Sequence, residues 1–456
     1  MKKNIKLTLF IYTLTWLATM LMLAIFMFRE GFSWNQFVEQ CYDLFSNPSF
    51  LVVLHLLFIG VFGVVLLTKY FIRLFRQKGW RVGFKQFVFR LLLPISVLIF
   101  GVRAVHYNNS FETLDFTWDY EVENTSGHTK NLYAKDGKHR GMSVFSRRDD
   151  YQKAIDVLIK DNIEWVAVIP FMYQETERTN ALVLRREEGK WSRRDSSFAN
   201  RINILHNRGL HVQLKPHIWM RDGWRSNITL SEEDWNTWFT SYRKHMLHYA
   251  GMAEQLGVGL FCVGTELRTA IQHKPEAWMT LINDIKKIYK GKLTYAANWD
   301  DPIEAIPFWK QMDYIGIQAY FPLTQEKYPE LEAIKEGWDE HIPKLKEASK
   351  TYKRPILFTE IGYRSDNEAT IKPWEWGSRF GTLSKKKSDE TQRRAYEALF
   401  QKLWDKPWFA GCYFWQWHTT STPERMKTNV DFTPRFKPAE NTLTQWYGTL
   451  GKKTKS

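Results

Sequence analysis

The stretch Gly259–Glu266, which reads GLFCVGTE, is an apolar run that closes on two small residues and a carboxylate. The stretch Ile356–Glu360, ILFTE, has the same arrangement further along the chain. Short continuous apolar runs are typical of strands buried on both faces, as in a parallel sheet. These two stretches therefore predict parallel strands that each carry a glutamate at the carboxyl end.

Outward from these stretches, short β-branched or aromatic runs alternate with longer amphipathic segments. This alternation is typical of βα units, and eight parallel strands close a barrel. We therefore predict an α/β fold, a (β/α)8 TIM barrel, over residues 141–450. The candidate strands are Met142–Phe145, Glu164–Pro170, His211–Pro216, Gly259–Gly264, Leu293–Ala297, Tyr314–Gln318, Ile356–Thr359 and Gly411–Trp415.

Three of the intervening segments carry clear helix signals. Asp149–Lys160 and Asp389–Leu403 each place apolar residues on one face beneath charged ones. Ser231, followed by three acidic residues, is a strong N-cap for a helix that runs toward Gln255. These segments are predicted to be helices of the barrel's outer layer.

The first 107 residues have a different composition, with long apolar runs and few acids. Three of these runs approach the length of about 20 residues that crosses a bilayer core. They are Leu7–Phe28, Phe50–Leu67 and Phe87–Val105. We therefore predict that residues 1–107 form a three-helix transmembrane anchor in front of the barrel, and that a cleaved signal peptide alone does not explain them.

The charges beside these runs predict the orientation. Of the formal net charge of +15, +9 falls in the first 110 residues, mostly before the first run and between Lys69 and Lys85. The loop between the first two runs holds Glu30, Glu39 and Asp43 instead. The positive-inside rule then places the N-terminus in the cytoplasm and the barrel outside it. We expect a multi-pass protein of the inner cell membrane with its barrel on the non-cytoplasmic side.

Other classes of function are disfavoured by composition. Outside the membrane region, no dense run of Lys and Arg remains except Lys385–Lys387, so no nucleic-acid partner is expected. The three cysteines have neither a metal-binding spacing nor an even count for disulfides. His217 and His418 belong to no spaced ligand set, so neither a metal nor another cofactor is expected. Residues 108–140 are polar and are interpreted as a linker with a hairpin that leads into the barrel.

Glu266 and Glu360 follow the fourth and seventh predicted strands, so they face each other across the mouth of the predicted barrel. A glycosidase needs such a pair of carboxylates. Carboxyls about 5–5.5 Å apart give a retaining mechanism, and a gap of about 6.5–9.5 Å leaves room for the water of an inverting one. The residues alone leave this choice open.

Tryptophans add a second indication, because sugar rings present apolar faces that stack on indole. The chain holds 21 Trp. Several fall at or just after predicted strand ends, which favours a carbohydrate substrate. These residues are Trp219, Trp224, Trp299, Trp374, Trp376, Trp415 and Trp417.

In these motifs the chain resembles retaining barrel glycosidases with the acid/base after strand four and the nucleophile after strand seven. It is most similar to glycoside hydrolase family 113, the β-1,4-mannanase-like group, from about Gly141 to Tyr447. The segments that carry the resemblance are Leu214–Trp219 (LKPHIW), Phe261–Leu267 (FCVGTEL), Tyr295–Asp300 (YAANWD), Ile315–Phe321 (IGIQAYF), Ile356–Tyr363 (ILFTEIGY), Tyr413–Trp417 (YFWQW) and Asp431–Ala439 (DFTPRFKPA).

The resemblance implies roles for individual residues. Glu266 would be the general acid/base, Glu360 the nucleophile, and Tyr320 a hydrogen-bond donor to the nucleophile. Thr265 stands where the larger clan commonly has an Asn that contacts the sugar 2-hydroxyl. The preference between mannose, whose 2-hydroxyl is axial, and sugars with an equatorial 2-hydroxyl is therefore open. Trp415 or Trp417 would floor the sugar subsite, and the remaining candidate substrate contacts are His217, Trp219 and Asn298.

The expected function is therefore that of a membrane-anchored retaining glycoside hydrolase acting on β-linked oligo- or polysaccharides, with β-mannans as the first choice. Two alternatives use the same residues. One is a non-catalytic carbohydrate-binding barrel at the cell surface, and the other is a transglycosylase. A third, a membrane sensor, is disfavoured because the basic loop is too short for an enzymatic output.

Overall fold

The computed structural model describes residues 2–29, 48–112, 128–145, 151–183, 191–376 and 385–454, together with Trp34, Phe37, Val38 and Cys41. The chain divides into two compact units, Met1–Arg103 and Ala104–Ser456. The acidic residues Glu30, Glu39 and Asp43, on which part of the predicted orientation rests, lie outside the described residues.

The N-terminal region is helical. Helix α1 spans Lys2–Arg29, α2 spans Pro48–Phe87, a short π-helix covers Val88–Leu92, and α3 spans Leu93–Ser110. Two stretches, Thr8–Arg29 and Phe50–Ser110, are long and apolar enough to cross a membrane. The predicted second and third spans both fall within the second of these stretches.

The second stretch is not a straight helix. Gly79, inside α2, has φ +74° and ψ 167°, outside the helical region. In a straight helix residues 71 and 87 would lie about 24 Å apart. The rings of Phe71 and Phe87 are instead 5.0 Å apart, and Arg90 donates a hydrogen bond to Tyr70. The chain therefore turns back on itself around Gly79, where glycine tolerates the positive φ.

The second unit is built on a closed barrel of eight parallel strands, in the order β1, β10, β9, β8, β7, β6, β4, β2. All eight predicted strands are present, and most differ by one to three residues at their ends. The strands are β1 His139–Phe145, β2 Trp165–Val168, β4 His211–Leu214, β6 Leu260–Thr265, β7 Lys292–Asn298, β8 Tyr314–Gln318, β9 Ile356–Ile361 and β10 Phe409–His418.

A small parallel sheet above the barrel was not predicted. It pairs β3, Phe171–Gln174, with β5, His217–Met220. Pro170 and Pro216 stand between the barrel strands β2 and β4 and these two extensions. A proline has no N–H for a strand ladder, so each barrel strand ends there and the chain continues in a separate sheet.

Helices surround the barrel, as expected for βα units. The predicted N-cap is confirmed, because the hydroxyl of Ser231 accepts a hydrogen bond from the backbone N–H of Asp234. The helices are α4 Tyr133–Asp136, α5 Tyr151–Lys160, α6 Trp191–His206, α7 Glu232–Gln255, α8 Arg268–His273, α9 Pro275–Ile288, α10 Leu331–Tyr352, α11 Asp389–Leu403, α12 Pro423–Met426 and α13 Pro438–Tyr447.

The segment before the barrel is only partly described, because residues 113–127 lie outside the described residues. Within residues 128–138 the structure has the single turn α4 and no strand, so the predicted hairpin is not found there. The carboxylate of Glu164 accepts hydrogen bonds from the backbone N–H groups of Leu132 and Tyr133. This contact holds α4 against the amino end of β2, so the segment packs on the barrel.

Candidate active site

Glu266 comes directly after β6, at the carboxyl end of the barrel. Its backbone has φ +54°, a left-handed conformation that is uncommon outside glycine. The backbone N–H of Glu266 donates to the carbonyl of Ala296 on β7 (2.9 Å), and its carbonyl accepts from the hydroxyl of Ser226 (2.8 Å). These two bonds hold the turn that carries the carboxyl group, and the residue is only 3% exposed.

The carboxyl of Glu266 pairs with the guanidinium of Arg225. Burial is the largest influence on this carboxyl and raises its pKa, Arg225 opposes the rise, and the nearby charge of Glu360 adds to it. The net result is a pKa above that of an ordinary glutamate. Glu266 is therefore set up to hold a proton at a pH where exposed glutamates are ionised.

Glu360 lies on β9 and receives three hydrogen bonds. Oε1 accepts from the hydroxyl of Tyr320 (2.6 Å), and Oε2 accepts from Nζ of Lys215 (2.8 Å) and Nε2 of Gln318 (2.9 Å). Gln318 pairs with Glu360 in the register of β8 and β9. Three strand ends therefore converge on one carboxylate.

These donors decide the charge of Glu360. Burial alone would raise its pKa, but the charge of Lys215 and the hydrogen bonds from Lys215, Tyr320 and Gln318 outweigh burial. The pKa of Glu360 therefore lies below that of an ordinary glutamate. Two nearby buried carboxyls thus shift in opposite directions, which is the arrangement that separates an acid from a nucleophile.

Lys215 is fully buried beneath Glu360. Its ammonium group also donates to Oε1 of Gln318 (2.9 Å) and to the carbonyl of Thr359 (3.1 Å). All three protons therefore have acceptors, as a buried ammonium requires. Gln318 is fixed in turn, because its Oε1 also accepts from the hydroxyl of Thr359 (3.1 Å).

His217 begins β5 and is buried, near enough to Lys215 and Arg225 for their charges to act on its ring. Burial, with the charges of Lys215 and Arg225, lowers its pKa well below the usual value, so the ring is neutral at neutral pH. Its Nε2 is buried and has no hydrogen-bond partner among the described residues. Trp219, two residues later, is 55% exposed and packs edge-on against Phe171.

The two predicted subsite tryptophans are in different environments. Trp415, 7% exposed, lies in a cluster with Tyr320 and Phe432, and its ring contacts Phe145 at 4.8 Å. The peptide bond that follows Trp415 is cis. Trp417 is fully buried in the core, with the guanidinium of Arg435 over its ring at 4.3 Å. Trp415 therefore lies in one cluster with Tyr320, which bonds to Glu360.

Asn298 ends β7 and is half-buried. Its Oδ1 accepts a hydrogen bond from the backbone N–H of Trp299 (3.0 Å), and its own N–H donates to Asp301 (2.8 Å). The ring of Trp299 stacks on that of Trp374, with centroids 4.9 Å apart. The stacked pair continues the aromatic surface beyond the Trp415 cluster, because Trp299 also packs against that cluster.

The sequence interpretation missed three residues of this site, Lys215, Gln318 and Arg225. Lys215 lies inside the quoted LKPHIW segment, and a lysine between an apolar strand and a proline is unusual enough to be a signal. Arg225 lies in an irregular loop with no periodic pattern to mark it. In the part of the chain that the structure describes, no group of three or more His, Cys, Asp or Glu side chains is placed to hold a metal ion.

Comparison with solved structures agrees with this fold. A family 113 β-mannanase from Alicyclobacillus acidocaldarius, solved in complex with ManMIm, is 26% identical, with a TM-score of 0.61 over 69% of this chain and 98% of that one. A second structure, a complex of a family 113 β-1,4-mannanase, is 23% identical, with a TM-score of 0.59 over 68% of this chain and 99% of that one, and shows the shared fold. No curated protein matches the chain.

The family model described as Glycoside Hydrolase Family 113 matches residues 141–437, well over half of the chain. The match begins in β1 and ends one residue before α13, so it contains all eight barrel strands. It also contains Glu266, Glu360 and every residue described above as contacting them. With its closed barrel and its buried pair of glutamates, the chain belongs to glycoside hydrolase family 113.

Proposed function

We propose that this protein is a membrane-anchored retaining glycoside hydrolase that cleaves β-mannan-type oligo- or polysaccharides, with Glu266 as acid/base and Glu360 as nucleophile. The observation that carries the proposal is the opposite shift of the two buried carboxyls. The pKa of Glu266 is raised, mainly by burial, and that of Glu360 is lowered by Lys215, Tyr320 and Gln318. Glu266 thus keeps its proton to a higher pH than Glu360 does.

In the first step, protonated Glu266 gives its proton to the glycosidic oxygen as that bond breaks. The ionised Glu360 attacks the anomeric carbon and forms a glycosyl-enzyme ester. Tyr320, Gln318 and Lys215 hold the carboxylate in place beforehand, so little reorganisation is needed as the bond forms. Transition-state stabilisation comes from this fixed arrangement.

In the second step, the ester has removed the negative charge of Glu360. One of the influences that raise the pKa of Glu266 is then gone, and Arg225 still favours the ionised form. Glu266 can therefore act as a base, taking a proton from the water that attacks the ester. Arg225 thus supports the half of the cycle in which Glu266 is a carboxylate.

The substrate would lie on the aromatic residues beside Glu360. We propose Trp415 as the floor of the subsite at the cleavage point, since it packs against Tyr320. His217 would bond to a sugar hydroxyl, which would satisfy a buried Nε2 whose lack of a partner costs about 1–3 kcal/mol. Asn298 and Trp219 remain proposed contacts, and Trp417 is withdrawn because its ring is fully buried.

The preference for mannan-type polymers rests on the relatives. Two family 113 structures similar to this chain are described as β-mannanases. Thr265 replaces the Asn that commonly contacts the sugar 2-hydroxyl in the larger clan. Mannose and glucose differ in the configuration of the carbon that carries this hydroxyl. Gluco-oligosaccharides therefore belong in any test of specificity.

We also propose the domain arrangement of a three-span anchor over residues 1–107, a linker over 108–140 and the hydrolase over 141–450. The reversal at Gly79 supports two antiparallel spans after the first one, and Lys69, Arg73 and Arg76 lie beside that turn. The positive-inside rule then places the barrel outside the cytoplasm. A reporter that folds only outside the cytoplasm, fused after Ser456, should be active, and an inactive reporter contradicts this topology.

The test of activity uses the full chain in detergent micelles, with β-linked manno-, gluco- and xylo-oligosaccharides of equal length. Wild type should release product that retains its anomeric configuration by NMR, with the manno series cleaved fastest. Glu266→Ala should lower the rate by about 10²–10⁴-fold. Glu336→Ala, an exposed glutamate on α10, is the matched control and should leave the rate unchanged.

Azide separates the two roles. With Glu266→Ala, azide should replace the second-step water and give a glycosyl azide of retained configuration. With Glu360→Ala, azide should replace the nucleophile and give the inverted product. Folded wild type that binds these glycans without cleaving any of them would favour the non-catalytic binding barrel, and product chains longer than the substrate would favour the transglycosylase.

A further inference from the structure

A cavity of about 780 Å³ opens beside the Trp415 cluster, since Phe145 and Ile169 line the cavity and pack against that cluster, and it plays no part in the mechanism above. Its volume falls in the range of about 300–1,000 Å³ that is usual for ligand pockets. Apolar residues line part of it, among them Phe145, Ile169 and Phe198, and polar groups of Ser197, Ser421 and Asn429 line the rest. This mixture suits a sugar, which has apolar ring faces and a polar edge.

Two arginines from different elements line the same cavity. Arg201 comes from α6, and Arg425 comes from α12, far along the chain. Arg425 donates a hydrogen bond to the carbonyl of Thr420 (3.4 Å). Arg425 forms no ion pair with any acid that the structure describes. Two guanidinium groups that converge on one cavity are the usual protein device for binding a carboxylate, sulfate or phosphate.

The one described acid of the lining does not cancel these charges. Asp431 lies 3.6 Å from Nζ of the buried Lys437. It also accepts hydrogen bonds from Nδ2 of Asn429 (2.8 Å) and from the backbone N–H of Thr433 (2.9 Å). Its negative charge is therefore already compensated, so Asp431 does not offset the charge of Arg425.

The position of the cavity assigns it to one end of the substrate. Its lining includes residues at the carboxyl ends of β1, β2 and β10, and β10 stands opposite β6 in the ring of eight strands. Glu266, after β6, protonates the leaving sugar in the proposed mechanism. The sugars that stay on Glu360 therefore extend the other way, past Trp415 and Phe145, whose rings are in contact.

We propose that this cavity binds an anionic substituent on the sugars toward the non-reducing end of the substrate. The natural substrate is then an acidic β-linked glycan, such as one that carries uronic acid or sulfate groups. The assignment to that end of the glycan rests on the proposed function, whereas the anion preference rests on the cavity itself.

The test is a binding titration with the full chain in detergent micelles, in a Glu360→Gln background that prevents turnover. The probes are mannotetraose and the same tetrasaccharide with the non-reducing residue oxidised to a uronic acid or carrying a 6-sulfate. The better acidic probe should bind about tenfold more tightly than the neutral one. This advantage should shrink at high salt, because screening weakens partly exposed charge pairs.

Arg201→Gln and Arg425→Gln should each remove most of that advantage and leave the Kd of the neutral probe unchanged. Lys427→Gln is the matched control, since Lys427 is exposed on the same segment and does not line the cavity. Preference for the uronic acid or for the sulfate identifies the source of the charge. Equal Kd values for neutral and acidic probes, or a preference that survives both arginine variants, overturn the proposal.

Hydrolysis of the same probes by the otherwise unmodified chain keeps the two proposals apart. A charge preference without any cleavage would contradict the hydrolase and leave the anion site standing. Cleavage of mannotetraose without any charge preference would support the hydrolase and contradict the anion site.

Discussion

Nζ of Lys215 lies 2.8 Å from Oε2 of Glu360, and both side chains are buried. The two residues come from barrel strands on opposite sides of the ring, β4 and β9. A buried ion pair of this kind is costly to form, but removing one partner costs more because the other charge is left uncompensated. The pair therefore couples the stability of the barrel to the charge of the proposed nucleophile.

Lys215→Met should lower the free energy of unfolding by about 3–5 kcal/mol, because it leaves the carboxylate of Glu360 buried without its cation. The matched control is the double variant Lys215→Met with Glu360→Gln, which buries no uncompensated charge and should recover much of that loss. Denaturant unfolding of wild type, both single variants and the double variant measures both effects. Additive losses in the double variant would mean that the pair contributes through packing alone.

Tyr320→Phe removes one hydrogen bond to Glu360 and keeps the ring that packs in the Trp415 cluster. A hydrogen bond to a charged group contributes about 1.5–3 kcal/mol, so kcat/KM should fall by about 10- to 100-fold. The pKa of Glu360 should rise toward the ordinary value, which moves the acidic limb of the pH profile to higher pH. A slower enzyme with an unmoved limb would assign Tyr320 to substrate binding instead.

Arg225→Met removes the cation that holds down the pKa of Glu266. The protonated acid should then persist to higher pH, so the basic limb of the kcat/KM profile should move upward. Arg221→Met, on the same loop but paired with Glu175, is the matched control and should leave the profile in place. Movement of the basic limb to lower pH would contradict the interaction described here.

The two tryptophans should respond differently to the same conservative change. Trp415→Phe should lower kcat/KM by about two- to tenfold with little change in melting temperature, through loss of part of the stacking surface. Trp417→Phe should lower the melting temperature and leave kcat/KM unchanged, because the ring is buried under Arg435. Kinetics and thermal unfolding of both variants decide the point, and a larger kinetic effect at Trp417 would reverse the assignment.

A second buried pair should govern the pH dependence of stability. Burial raises the pKa of Glu440 to about 6, and burial with the charge of Glu440 raises the pKa of Asp161. Carboxyls whose pKa is raised on folding favour the native state while they are protonated. The stabilising contribution of this pair should therefore be greatest below about pH 4 and decline as the pH rises through 6.

Asp161→Asn removes one of these charges and should remove part of the decline, gaining roughly 1–3 kcal/mol at pH 8. Unfolding free energies measured from pH 4 to pH 8 test this, with wild type as the reference. Parallel curves for the two proteins would show that the pair does not titrate in this range.

Much of the barrel could be predicted from sequence because its signals are local. A parallel strand buried on both faces reads as a short apolar run, as in Leu260–Thr265, whatever it later pairs with. The two glutamates were found for a related reason, since each stands at the carboxyl end of such a run. Ser231 marked the start of its helix because capping involves only the next few residues.

Tertiary structure decided which charged groups meet. Lys215 and Glu360 are brought together only when β4 and β9 take their places in the closed ring, and Arg225 reaches Glu266 from a loop without periodicity. No local pattern encodes such contacts, because they depend on strand order and register. The opposite shifts in pKa, on which the proposed roles of the two glutamates rest, follow from these long-range contacts.

Tertiary structure also decided which aromatic residues face the site. Trp415 and Trp417 are neighbours in one strand and look alike in sequence, yet one lies by Tyr320 and the other is covered by Arg435. By itself the sequence determined the eight barrel strands, three of the surrounding helices and the catalytic candidates, because those depend on nearest neighbours along the chain. Only the folded barrel decided their environments, because burial and charge pairing depend on residues far apart in sequence.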